Sequence, residues 1–423
     1  MSGRLLLDPA RAPIEVVDLD LPASGGAPRL SLAGSAEPAR PTGSVLALVR
    51  SAGRPVGLVQ ADLGSPGDGD DTDPAVLLAE LAHRQLGAEL AASTGAADAE
   101  RPTAELPLVT VVIATRERPE LLARCLESLA AQRYPRFETV VVDNAPATDA
   151  TRELVKERFG DSVRYVREPL RGLASAHNAG VAAALGEITA FTDDDVVIDA
   201  GWLDALVAGF ADPQVGCVTG LILPAALRTA TQVLLEAHGG FGKGFSAHRY
   251  QADRPPADQP LFPFTAGRLG SGANMAFRTE VLRGLGGFDA AVGTGTPARG
   301  GDDLLSFFRA VVHGHALLYQ PEALVWHHHR DRAEDLDAQA FGYGAGLGAY
   351  LAAAVANEPR MLPALLRRVP GGVRHAVAHT GAAATPADWP ARLIRLQRRG
   401  MLYGPIGYLR SRRLVRKAQR HVC

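Results

Sequence analysis

Hydrophobic and polar positions along the chain change pattern near residue 106. Before that point, residues 45–50 and 56–60 are short apolar runs on either side of Ser51-Ala-Gly-Arg-Pro55, the pattern of two strands about a glycine-containing turn. Residues 74–92 place apolar side chains at helical spacing behind a proline in the first turn. Residues 64–73 read as a loop rich in Gly, Pro and Asp, and 93–105 as a small, polar linker. Residues 1–105 are therefore expected to form a small α+β module with its linker. They carry no candidate chemistry, which leaves a packing or interaction role.

Beyond Pro107 the pattern alternates. Residues 109–114, 139–142, 163–166 and 188–192 are short β-branched runs that predict strands, and 120–132, 148–159 and 173–184 predict helices between them. Strand and helix in turn imply an α/β, Rossmann-like, mainly parallel sheet covered on both faces. This unit is expected over 106–335, followed by a helical extension over 336–423. In such a sheet ligands bind beyond the carboxyl ends of the strands, and the polar residues fall there: Thr115 to Arg118 after the first strand, Asp143 and Asn144 after the second, and Asp193, Asp194 and Asp195 after the fourth. Three consecutive carboxylates repel one another, so this run calls for a cation or for donor hydroxyls to offset its charge. Alternate positions of an extended segment point the same way, so Asp193 and Asp195 can act together while Asp194 turns elsewhere. The plainer alternative is a solvated acidic turn ahead of the helix that begins near Gly201 and Trp202.

Composition narrows the picture. With 47% hydrophobic and 21% charged residues, the chain is globular rather than disordered. Cys125, Cys217 and Cys423 are too far apart for a disulfide framework or a zinc site, which favours a reducing cytosol. The apolar run before Asp8 is too short for a secretory signal, so a cytoplasmic location is expected. The uncharged stretch 338–357 is long enough to span a bilayer, but Gln339 and Gly342, Gly344, Gly346 and Gly348 favour a buried glycine-rich helix. The net charge of -2 hides an asymmetry, because residues 361–423 are strongly basic and Asp388 is their one acid. That tail reads as solvated helix faces, as a contact for anionic lipid headgroups at the inner membrane face, or as a dock for a phosphorylated acceptor.

Taken in order, LVTVVIATRERP at 108–119, TVVVDNAPATDAT at 139–151, GLASAHNAGVAAALGEITAFTDDDV at 172–196, GSGANMAFR at 270–278, GLGGFD at 284–289, GTGTPARGGDDLLSFFRAVVHG at 293–314 and PEALVWHHHR at 321–330 resemble the bacterial, inverting family 2 glycosyltransferases of the GT-A fold. The resemblance covers residues 108–330. It implies a soluble, metal-dependent transferase that takes a sugar from a nucleoside diphosphate donor, UDP-linked by preference, to a hydroxyl of an unidentified acceptor. That acceptor could be lipid-linked, a polysaccharide or a small metabolite; no nucleic acid is expected as a partner.

By the same resemblance Asp143, with Thr115 beside it, takes the nucleobase or ribose, and Asp193 takes a ribose hydroxyl. Arg116 and Asp194 line the donor site, and Arg171 and His177 face the phosphates, although relatives carry arginine where His177 stands. Asp195 and His327 are the expected ligands of Mn2+ or Mg2+, with Mn2+ preferred because imidazole is a softer ligand than carboxylate or water. Asp303 is the expected general base, with Asp302 beside it where relatives carry glutamate. Alternation sends His329 to the same side as His327. Trp202 and Trp326 are expected in the core, with sugar stacking as the alternative. A helix that follows Arg330 is expected to close over the site. Two other readings use the same residues: a metallohydrolase built on the aspartates and histidines, or a sugar-nucleotide-binding module without catalysis.

Overall fold

The computed structural model describes residues 7–22, 26–64, 72–93, 106–368 and 391–422. Nearly all of the expected linker, most of the loop expected over 64–73, and Cys423 lie outside them. In the first part of the chain, β1 (Glu15–Leu21), β2 (Arg29–Leu32), β3 (Ser44–Ser51) and β4 (Arg54–Asp62) form a sheet in the order β2-β1-β3-β4. The β3–β4 hairpin is the expected one; β1 joins it in parallel with β3. Alternation along β3 sends Val45, Ala47 and Val49 to one face, where Leu78, Ala82, Leu86 and Leu90 of α1 (Pro74–Ser93) cover them. Leu46 and Leu48 point to the other face and pack with Leu221, Leu223, Leu324 and Trp326 of the larger sheet. The module read from the sequence as a separate unit thus shares a core with the rest of the chain. Arg50 reinforces that junction: buried, it donates to Asp18 at 2.9 Å and to Asp199, across the interface, at 2.6 Å.

The larger unit runs β5 (Val109–Thr115), α2 (Pro119–Ala130), β6 (Phe137–Asn144), α3 (Ala150–Leu154, continued by a π turn to Phe159), β7 (Val163–Glu168), α4 (Leu173–Ala183), β8 (Ile188–Asp193), β9 (Val196–Ile198), α5 (Trp202–Gly209) and β10 (Val215–Pro224). It continues through α6 (Ala230–Gly239), β11 (His248–Tyr250), β12 (Asn274–Arg278), α7 (Thr279–Gly284), α8 (Asp302–Val312) and β13 (Ala316–His327). The strands lie in the order β11-β13-β10-β12-β8-β5-β6-β7, with β9 paired to β13. Neighbours from β8 to β7 are parallel, as are β10 and β13, while β12 is antiparallel to both β8 and β10. This is the GT-A architecture, a mainly parallel sheet with helices on both faces. β10 was not anticipated from the sequence, although all ten of its residues are buried. Apolar side chains fill both faces: α4 and α8 cover one, α2 and α5 the other. Trp202 and Trp326 are fully buried, in keeping with core roles.

After β13 come α9 (Ala333–Asn357), α10 (362–368) and α11 (Ala391–Val422). The uncharged stretch lies in α9 and is used for packing: Gly344 and Gly348 face the backbone at Gln397 and Met401 of α11, and Gly400 and Gly404 face the backbone of α9 so closely that no Cβ fits. Among the described residues no helix is long and apolar enough to cross a membrane.

Candidate active site

The sheet brings the polar strand ends to one edge. Thr115, last in β5, stands opposite Asp143 in β6, and Ala114 stands opposite Asp193 in β8. Because β8 and β10 are both antiparallel to β12, and β13 is parallel to β10, β13 ends on that same edge with His327. Register pairing of His327 with Val196 then places the end of β13 beside the turn through Asp194 and Asp195, and the Asp195 carbonyl accepts from the His328 amide at 2.9 Å.

Within this turn the three aspartates separate as alternation requires. Asp194 turns inward, accepting from the Thr115 hydroxyl at 2.7 Å and from Arg118 at 3.1 Å. Asp193, Asp195 and His327 each offer one ligand atom, and the three atoms lie within 4.8 Å of one another. The resemblance had assigned Asp193 to a ribose hydroxyl; the geometry groups it with the two expected metal ligands. Burial, and next the Asp195 charge, push the Asp193 carboxyl well up. Asp195 is half-buried; desolvation alone would raise it, but His327 and Arg118 outweigh that and hold it low. Two carboxylates so close need positive charge; Arg118 lies 3.2 Å from Asp195 Oδ2 and His327 Nε2 lies 3.4 Å from Asp195 Oδ1, while His327 Nδ1 is buried without a hydrogen-bond partner. Such donor atoms fit a divalent cation.

Asp303 stands in the first turn of α8, two residues after Gly301, whose φ of 92° and close approach to the Gly346 carbonyl suit glycine. Its carboxylate accepts from the amides of Leu304, at 2.8 Å, and Gly272, at 2.9 Å. Ala273, the next residue, accepts from the Thr192 hydroxyl at 2.8 Å. One short stretch of backbone therefore ties the start of α8 to the end of β8, with Asp303 on one side and the aspartate run on the other. Burial, and then the neighbouring Asp302 charge, push the Asp303 carboxyl up to about 6.

The remaining expected residues divide. Asp143 is fully buried; its Oδ2 accepts from the Tyr165 hydroxyl at 2.8 Å, and its Oδ1 has no partner. Arg116 is exposed and donates to the Ala145 carbonyl. Arg171 is exposed in the loop before α4. His177, expected beside it at the phosphates, lies below the crevice: 1% exposed, it packs between Phe191 and Phe288 with Nδ1 3.4 Å from Asp302. His329 does lie with His327, their rings 5.3 Å apart, and its Nε2 is 2.7 Å from Glu236 of α6.

Sequence reasoning placed Arg118 at the strand end without giving it a role, and missed Glu236, Tyr165 and Lys243, a half-buried residue within electrostatic reach of both Asp303 and Glu236. Glu236, Tyr165 and Lys243 reach the site from segments with no motif.

Residues 110–286 match the sequence model of the family described as Glycosyl transferase family 2. The chain is similar to a pre-mycofactocin glycosyltransferase of Mycobacterium tuberculosis, at 29% identity over 237 residues, 56% of this chain and 46% of that protein. It is also similar to the O-antigen biosynthesis protein RfbC of Myxococcus xanthus, at 29% identity over 195 residues, 44% of this chain and 15% of that protein. The chain thus spans about half or less of the length of these relatives. Among solved structures it is similar to mannosyltransferase PcManGT from Pyrobaculum calidifontis in complex with GDP-Man and Mn2+, at 22% identity and a TM-score of 0.48, covering 79% of this chain and 98% of that one.

Proposed function

We propose that this chain, whose residues 110–286 match the Glycosyl transferase family 2 model, transfers a sugar, with inversion, from a nucleoside diphosphate donor to an acceptor hydroxyl. The observation that carries the reading is the placement of Asp193, Asp195 and His327 around one point, with Asp303 tied to the same strand end through Gly272 and Ala273.

Asp195 and His327, joined by Asp193, would hold a divalent cation, with Mn2+ suiting the mixed carboxylate and imidazole set better than Mg2+. When bound, that ion supplies positive charge for the diphosphate leaving group. Asp143 would accept from the donor's nucleobase or ribose through its unpartnered Oδ1, and uracil is the base proposed. Arg118 keeps Asp194 and Asp195 apart in direction by donating to both. Asp303 takes the proton of the acceptor hydroxyl as that oxygen attacks the anomeric carbon and the bond to the diphosphate breaks. A raised pKa makes Asp303 a better base than a free aspartate, and the two amides hold it still while it acts. Lys243, within electrostatic reach of Asp303, would favour its ionised form before the proton arrives.

The test is a panel of UDP- and GDP-linked sugars, with Mn2+ or with chelator, read by thermal shift and by release of nucleoside diphosphate. Stabilisation and turnover that need both a UDP-sugar and the metal support the reading. Hydrolytic activity on substrates without a nucleotide, and none with any sugar nucleotide, would replace it with a metallohydrolase.

A further inference from the structure

The long helix α11 has two unlike sides. One is consumed by packing: Gly400 and Gly404 fit against α9, Gly407 lies against the backbone at Pro297, and Tyr408 donates to Asp289. On the opposite side Leu402, Ile406 and Leu409, spaced four and three residues apart, fall on one stripe of the helix and are 78%, 51% and 55% exposed. The same stripe continues as exposed Arg395, Arg398 and Arg399 upstream and exposed Arg413 and Arg416 downstream. No acidic residue occurs between Ala391 and Val422.

Single exposed aliphatic side chains are ordinary on a protein surface, but three in register with arginines at both ends make a composite face. We infer that this face of α11 docks flat on an anionic lipid bilayer, with Leu402, Ile406 and Leu409 entering the acyl boundary and the flanking arginines meeting the headgroup phosphates. Charge decides among the occupants. A second copy of the chain meeting this stripe would set arginine against arginine at both ends, whichever way the helices ran. A nucleic acid would meet the arginines but leave the apolar centre against phosphates. A bilayer satisfies both, since arginine side chains lay their stems along apolar surface and keep their heads among the phosphates.

The experiment is flotation of the full chain with vesicles of phosphatidylcholine alone and of phosphatidylcholine with phosphatidylglycerol, at low and high salt. Recovery with the anionic vesicles at low salt is expected, at least about tenfold weaker on neutral ones. Leu402→Glu combined with Ile406→Glu should weaken anionic recovery by about tenfold or more while thermal unfolding stays unchanged. A separate Leu402→Trp chain, whose added indole reports depth, should shift its emission to the blue on anionic vesicles. The inference is overturned if the intact chain stays with the soluble fraction, if the double variant floats like the parent, if the Leu402→Trp emission does not move, or if duplex DNA is retained and vesicles are not.

Discussion

The backbone amide of Gly272 lies 2.9 Å from Oδ2 of Asp303, in a hydrogen bond between residues 31 positions apart. A Cβ at Gly272 would come within 3.3 Å of the Asp303 Cβ, so the glycine permits the approach as well as making the bond. That contact joins the candidate base to the loop leading into β12, and through Ala273 to the aspartates at the end of β8.

Replacing Asp303 with Asn keeps the size of the side chain and one acceptor oxygen but removes the proton acceptor. The expected result is a fall in kcat of about 10² to 10⁴ with little change in donor KM. Thermal unfolding should change by no more than about 1 kcal/mol, the scale of one weakened hydrogen bond. Steady-state kinetics and calorimetry on the purified variant check both, and near-normal kcat would remove Asp303 from the base role.

The pH dependence follows from the direction of the Asp303 shift. Burial first, and Asp302 second, raise this carboxyl to about 6, so the ionised, proton-accepting form dominates above that pH and is lost as pH falls through it. The rate should therefore decline on the acid side with a midpoint near 6. Asp302→Asn, which deletes the neighbouring charge, should move that midpoint down. A pH-rate profile of both chains tests this; a midpoint unmoved by the substitution would mean that another group governs the acid limb.

Metal affinity can be read without turnover. With Asp195→Ala or His327→Ala, one of three clustered ligand atoms disappears, and Mn2+ affinity measured by electron paramagnetic resonance should fall by at least about tenfold, the scale seen even for outer-shell changes. His329→Ala, which lies behind His327 and pairs with Glu236, should have a smaller effect. Equal Mn2+ binding by parent and Asp195→Ala would show that the cluster is not the metal site.

Arg50 carries the junction between the two sheets. Its side chain is buried against Asp18 and Asp199, so Arg50→Ala leaves two carboxylates without their cation in a nearly dry interface. Breaking a buried pair from one side costs about 3–5 kcal/mol, and urea unfolding should report a loss of that order. Because Arg50 bonds Asp18 and Asp199 and none of the clustered residues Asp193, Asp195 and His327, Mn2+ binding at low temperature should survive, which separates a stability role from a site role.

The seam between α9 and α11 makes a packing prediction. Gly404→Val places a branched side chain where the backbone of Ala345 and Ala349 already stands, and overpacking of this kind costs about 1–3 kcal/mol or more. Limited proteolysis should cut the variant near α11 sooner than the parent. Protection equal to the parent would mean that the two helices separate more readily than the seam implies.

What the sequence determined by itself was local or periodic. The β-branched runs at 109–114, 139–142, 163–166 and 188–192 read as strands because their neighbours repeat at helical spacing, and a strand followed by a helix leaves its polar end on a predictable edge. That logic reached Thr115, Asp143 and the three aspartates, and alternation sent Asp194 away from Asp193 and Asp195. Tertiary structure alone decided the partners. The apolar run at β3 read as one strand of a hairpin, but nothing in its side chains specified α1 for Val45 and the larger sheet for Leu46, since burial is not directional. His177 was read as a rim residue from its place in a motif, yet the packing of Phe191 and Phe288 draws it under the crevice. Glu236 and Lys243 come to the site from segments with no motif, and the antiparallel insertion of β12 carries Gly272 to Asp303. Contacts of that kind depend on how strands are ordered in space, and strand order is set by the packing of whole layers rather than by any short stretch of chain.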